Sequence, residues 1–166
     1  MKKHLIYLCA CVCALMFSGC SGQNTPDDKT QDGYYECDVF VEPYLDWELK
    51  SDDAQKWMLA HGFVKTKETY VNDQLVKYYD ARKKEAMTAQ LFNKTTLAYE
   101  SAMIFFPSGN YNAWVELTQA LADRYTFIRN NGDVKEYNSK DGNTFVQLAT
   151  TTADGVTYDV VIYSPK

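Results

Sequence analysis

The chain has 166 residues, with 22 acidic against 17 basic side chains and a net charge of −5. A chain this acidic lacks the basic face that phosphate binding needs, and its one basic cluster, Arg82, Lys83 and Lys84, is broken at once by Glu85. Nucleic acid is therefore not an expected partner, and the cluster reads as a solvated turn.

Lys2, Lys3 and His4 form a short basic start, and residues 5–17 follow without a charge. That run is too short for a membrane span, which needs about 20 apolar residues, so it reads as the core of a signal peptide covering residues 1–19. The run ends in Phe17, Ser18, Gly19 and Cys20, and here the chain resembles the bacterial lipoprotein signal, in which two small residues precede a cysteine. Phe17 stands where that family usually has Leu. The resemblance implies a diacylglyceryl group on the Cys20 sulfur, cleavage just before it and acylation of the new amino group. The alternative is an ordinary signal-peptide or disulfide cysteine.

Loss of residues 1–19 removes three of the five cysteines and leaves Cys20 and Cys37. With Cys20 lipidated, Cys37 has no partner in the chain and no disulfide framework is possible. Two or more acyl chains, at about 0.8 kcal/mol per buried methylene, give stable attachment to a membrane. The remaining chain carries 15 basic and 22 acidic residues, a net charge of −7.

Residues 20–33 have no aliphatic or aromatic side chain after Cys20 and cannot offset the entropy of ordering themselves. As a tether they would hold the folded domain roughly 20 Å from the membrane. In the resemblance, Ser21 fits sorting to the outer membrane, and Asp27 and Asp28 look like the acidic stretches that accompany surface export. The expected location is thus the outer membrane, facing the periplasm or the cell surface.

Residues 34–166 have the size of one domain, burying roughly two thirds of the unfolded surface. In YYECDVF, Cys37 alternates with Tyr35, Val39 and Val41 and reads as a small buried hydrophobe, with a reactive thiol as the sharper alternative. Glu36, Asp38 and Glu42 read as the wet face of a first strand. Ser51 reads as a helix N-cap followed by Asp52 and Asp53, with Ala54, Trp57, Met58 and His61 on one stripe and Gly62 as the stop. Strand patterns follow at 63–70, 75–82, 86–93 and 97–106. A second helix opens at Asn110 or Asn112, with Trp114, Leu117, Leu121, Ala122 and Tyr125 on its stripe, and strands recur at 126–130, 134–138, 144–151 and 156–163. In the last of these Val156, Tyr158, Val160 and Ile162 form one face, which suits an antiparallel sheet with one side covered.

The recurrence predicts an α+β fold of two tandem repeats, about 40–107 and 108–166. Each would be one short helix followed by three to four antiparallel strands, with the helices packed on one face of the sheet. FVEPYLDWELKSDDAQKWMLAHGF, residues 40–63, resembles the start of a repeat common in Gram-negative lipoproteins. That architecture is similar to the β-lactamase inhibitor protein and to the small lipoprotein of the outer-membrane assembly machinery. The resemblance implies an adhesive or inhibitory binding module.

Catalytic parts are scarce. His61 is the one histidine after residue 4, and the end of a helix is a place where an imidazole complements the dipole. No Cys or His spacing suits zinc, and Asp27, Asp28, Asp52 and Asp53 lack a calcium-loop pattern. No catalytic residue, metal ligand or cofactor is expected. Trp57 and Trp114 read as core, while Trp47, Tyr78 and Tyr79 are the candidate binding surface; Tyr78 and Tyr79, being adjacent on a strand, must face opposite sides. The expected function is a membrane-anchored, non-catalytic binding module for a protein or envelope component. The alternatives are a glycan-binding lipoprotein or a hydrolase using paired carboxylates.

Overall fold

A computed structural model describes residues 41–81, 86–153 and 155–166. The signal peptide, Cys20, the tether, Glu36, Cys37 and Asp38 lie outside the described residues, as does the basic cluster at 82–84.

The first helix, α1, is Ser51–Ala60. Its first turn carries Asp52 and Asp53, where the helix dipole favours negative charge. The N-cap is Lys50, which gives no side-chain cap bond, so Ser51 is the first helical residue and not the expected cap. At the other end Gly62, at φ 82°, turns the chain left-handed, and its N–H donates to Leu59 O at 3.1 Å. The second helix, α2, is Tyr111–Arg124, and of the two candidate openings Asn110 is the cap: its Oδ1 accepts from the Ala113 N–H at 3.1 Å.

Eight strands complete the fold: β1 Val64–Val71, β2 Gln74–Asp80, β3 Met87–Asn93, β4 Tyr99–Pro107, β5 Tyr125–Asn131, β6 Val134–Ser139, β7 Thr144–Ala153 and β8 Val156–Pro165. They form one antiparallel sheet in the order β1-β2-β3-β4-β8-β7-β6-β5. This corrects the expected architecture. The described residues do not form two helix-plus-sheet repeats; they form one eight-stranded antiparallel sheet accompanied by two helices. The reason is the pairing of β4 with β8, from Ala102 opposite Tyr163 to Pro107 opposite Tyr158, which consumes the two edges that separate four-stranded units would leave open. The edges that remain are β1 and β5, and the ladder is irregular in each, between Lys65 and Lys67 and between Phe127 and Arg129.

Alternation along the central strands sends apolar residues to both faces. Ala102, Ile104 and Phe106 of β4 and Val161 and Tyr163 of β8 join Ala54 of α1 and Leu117 and Leu121 of α2 in one core. Met103 and Phe105 of β4 and Tyr158, Val160 and Ile162 of β8 point the other way. They pack with Val76, Tyr78, Ala89 and Leu91 in a second core that, among the described residues, is drawn from strands. None of these second-core residues is more than 5 % exposed. The sequence pattern suggests one covered side, and the structure buries both, because successive residues of β4 and β8 are apolar over most of their length. A smaller cluster of Val41, Met58, Phe63, Tyr79 and Ala81 fastens the end of α1 to the sheet.

Candidate functional site

Residues 41–47 form a strap ahead of α1 that touches several other elements. The Tyr44 carbonyl accepts from the Tyr99 hydroxyl of β4 at 2.7 Å, and the Tyr44 ring stacks on Trp57 of α1 with centroids 4.5 Å apart. Trp47 Nε1 donates to Thr144 Oγ1 at the start of β7 at 3.0 Å. Glu42 reaches the end of α2 and the start of β5. Between the strap, the α2–β5 junction and the β6–β7 turn lies a cleft of about 490 Å³.

Its floor is Glu42, which is 3 % exposed. Arg124 Nη2 donates to Glu42 Oε2 at 2.6 Å, and the Tyr125 hydroxyl donates to Oε1. A buried carboxylate needs such partners, since burying an unpaired charge is costly. Burial would weaken the hold of Arg124 on its proton, but Glu42 outweighs that, and the guanidinium titrates above its usual range. Tyr125 is pushed well above the usual phenol range, first by burial and then by the Glu42 charge. The phenol therefore stays a donor and the arginine a cation throughout the neutral range.

The rim is polar. Asp141 accepts from the Ser139 hydroxyl, from the Asn143 N–H at 3.1 Å and from Asn143 Nδ2 at 3.2 Å, and these bonds, Ser139 first, hold its carboxyl below the usual carboxylate range. Asp46 accepts the Glu48 N–H at 3.1 Å and closes a turn of the strap. Lys140 Nζ donates to the Asp123 carbonyl at 2.9 Å, satisfying one of the open carbonyls at the end of α2. Trp57 forms the aromatic wall: Tyr44 stacks on it, and so does His61, with centroids 3.7 Å apart and planes 15° apart. His61 Nδ1 lies 2.8 Å from the Trp57 carbonyl, consistent with the helix-end role read from the sequence.

Of the three residues named as a candidate binding surface, only Trp47 borders this cleft, through Thr144, and it is half-buried with its ring tilted on Tyr99 at 4.9 Å. Tyr78 is 2 % and Tyr79 0 % exposed. They do face opposite sides, Tyr78 into the strand-only core and Tyr79 edge-on to Phe63 on the helix side, so the structure neither brings them together nor offers them to solvent. The residues that sequence reasoning misses are Glu42, Arg124 and Tyr125. Alternation puts Glu42 on a wet strand face, whereas the structure buries it against partners more than eighty residues away. No local pattern announces such a pairing; the nearest signal is the Arg-Tyr step at a helix-to-strand junction.

Among the described residues no three His, Cys, Asp or Glu side chains lie close enough to hold a metal ion, and no helix is long and apolar enough to cross a membrane. No family model matches the chain, and neither a curated protein nor a solved structure matches it. The resemblance to the lipoprotein signal thus rests on residues 17–20 alone, and that to the inhibitor protein and the assembly lipoprotein on the sequence pattern that begins at 40–63.

Proposed function

We propose that this protein is a membrane-anchored lipoprotein of the outer membrane, attached through Cys20, and that its domain is a non-catalytic binding module for a protein or another envelope component. The cleft beneath the strap, not the tyrosine pair, is the contact site. The observation that carries this reading is that the strongest groups of the cleft are already engaged within the protein. Both oxygens of Glu42 accept hydrogen bonds, Lys140 holds a helix end, and Trp57 stacks with both Tyr44 and His61. Such a site is preorganised in shape and holds no poised base or nucleophile.

Two alternatives lose ground on the same residues. A glycan platform needs open aromatic faces in a row, and here the aromatics stack on each other. A glycosidase needs one carboxyl kept protonated beside an ionised one, while Asp141 is held in the ionised form and Glu42 is tied to an arginine.

The test joins anchor and cleft. A photo-reactive residue at position 140 in the full chain should give a saturable cross-link to one recurrent partner, lost when Asp46 and Asp141 are both changed to Lys. Cross-linking that ignores the charge reversal would overturn the cleft. A Cys20→Ala chain should leave the membrane fraction; unchanged fractionation and mass would overturn the anchor.

A further inference from the structure

Beneath α1, the β2–β3 ladder places Lys77 opposite Gln90 and Tyr79 opposite Thr88. All four side chains point toward the helix: the Lys77 ammonium lies over the Phe92 ring of the helix-side core, and Tyr79 packs with Met58. Lys77 is 3 % exposed, yet its nearest acceptors are distant, Ser51 O at 3.4 Å, Asp52 Oδ1 at 3.5 Å and Glu68 Oε2 at 4.0 Å. The exposed Lys56, which water could serve as well, sits 2.9 Å from Asp53. On this face of the ladder and at the first residue of α1, four buried polar atoms have no hydrogen-bond partner: Ser51 Oγ, Tyr79 OH, Thr88 Oγ1 and Gln90 Oε1. Gln90 Nε2 is engaged, donating to the Tyr99 hydroxyl at 2.8 Å, so its carbonyl end is fixed in place with nothing to accept.

Buried polar atoms are satisfied almost without exception, by protein or by ordered water, and four of them between one helix and one strand pair, with a poorly coordinated ammonium on the same face, share one remedy. We infer that an internal water site lies between α1 and the β2–β3 ladder. Water there accepts from Lys77 Nζ and donates to Gln90 Oε1, with Ser51 Oγ at its upper edge, and a second water joins Tyr79 OH to Thr88 Oγ1. Each such water has the two or more polar partners that hold it in place.

The seat determines how α1 moves. Only Ser51, Ala54 and Met58 of this helix are buried, and Ser51 rests on the wet side. With two buried apolar side chains against three in α2, and water already beneath it, α1 opens more readily than α2. It carries Trp57, so its opening widens the cleft, a consequence that rests on the cleft being the binding site.

Nuclear magnetic resonance of the whole chain tests the seat. Water cross-peaks to the Gln90 and Thr88 side chains are expected, together with faster amide exchange in α1 than in α2. A Lys77→Met, Gln90→Leu pair should abolish the water peak at position 90 and slow α1 exchange about tenfold. If that pair does not fold, Thr88→Val alone should remove the water peak at position 88 while the rest of the spectrum stays. Absent water peaks in the unsubstituted chain, or α1 exchange in step with α2, overturn the inference. Either result leaves the cleft reading standing, because partner cross-linking tests that separately.

Discussion

On β4 and β8, Met103, Phe105, Val160 and Ile162 are held by apolar contact on a face where neither helix contributes a residue. At the strap hydrogen bonds take over: Glu42 to Arg124 and Tyr125, Trp47 to Thr144, Tyr99 to the Tyr44 carbonyl. The first region gains from burial in proportion to area and is indifferent to small shifts of angle. The second gains less per residue, but each bond fixes a direction. A sheet can be stabilised by the first kind of contact; a cleft of defined shape needs the second.

Five experiments break or sharpen this contrast. Phe105→Ala, which empties a fully buried site in the strand-only core, should cost about 3–5 kcal/mol in chemical denaturation and leave partner cross-linking per folded molecule unchanged. Glu42→Ala leaves Arg124 and Tyr125 facing an apolar gap. Because Arg124 is one-third exposed and can rehydrate, the expected loss is about 2–3 kcal/mol, below that of a fully buried pair, and here cross-linking at the cleft should fall as well. If Glu42→Ala reduced stability without touching the cleft, the assignment of shape to the polar strap would be wrong. Asn110→Ala, which removes the α2 cap, should cost about 1 kcal/mol.

The smallest effect is one of pH. Glu136, 1 % exposed, accepts from Asn131 at 3.1 Å, from Arg129 at 2.7 Å and from Gln147 at 3.4 Å, and these bonds hold its carboxyl below the usual range. A folded-state value below the unfolded one means that its contribution is present above the unfolded carboxylate range and fades as pH falls through the folded value. Denaturant midpoints of the wild type should therefore decline on acidification, and Glu136→Gln should flatten that decline. The buried phenols act at the other end of the scale. Tyr99 and Tyr125 are both raised chiefly by burial, so the unfolded chain ionises first and stability should drop as pH rises past about 10. Phenol absorbance that stays un-ionised until the chain unfolds should accompany it.

The contrast also explains what can be read from the chain. Turn residues and alternation locate all eight strands to within about two residues, and the left-handed Gly62 and the Asn110 cap mark helix boundaries. These are local signals. The architecture escapes them because the pairing of β4 with β8 is set fifty or more residues apart, and a pattern that repeats along the chain looks the same whether its strands form two sheets or one. The same limit applies to the site. Trp47 stands near the cleft because the strap is continuous with α1, whereas Glu42 meets Arg124 across a separation of 82 positions. Tyr78 and Tyr79 read as surface because adjacent tyrosines on a strand imply one outward ring, an inference that fails when both sides of a sheet are buried.

The irregular edges β1 and β5 have a consequence at high local density. With the proposed lipid anchor, copies confined to a membrane would meet one another far more often than in free solution, and an open sheet with two straight edges would then polymerise strand to strand. The breaks at Lys65–Lys67 and Phe127–Arg129 interrupt the comb of donors and acceptors that a neighbour would have to match. Were copies crowded on a surface through that anchor, each would keep its own cleft and fibres would be disfavoured.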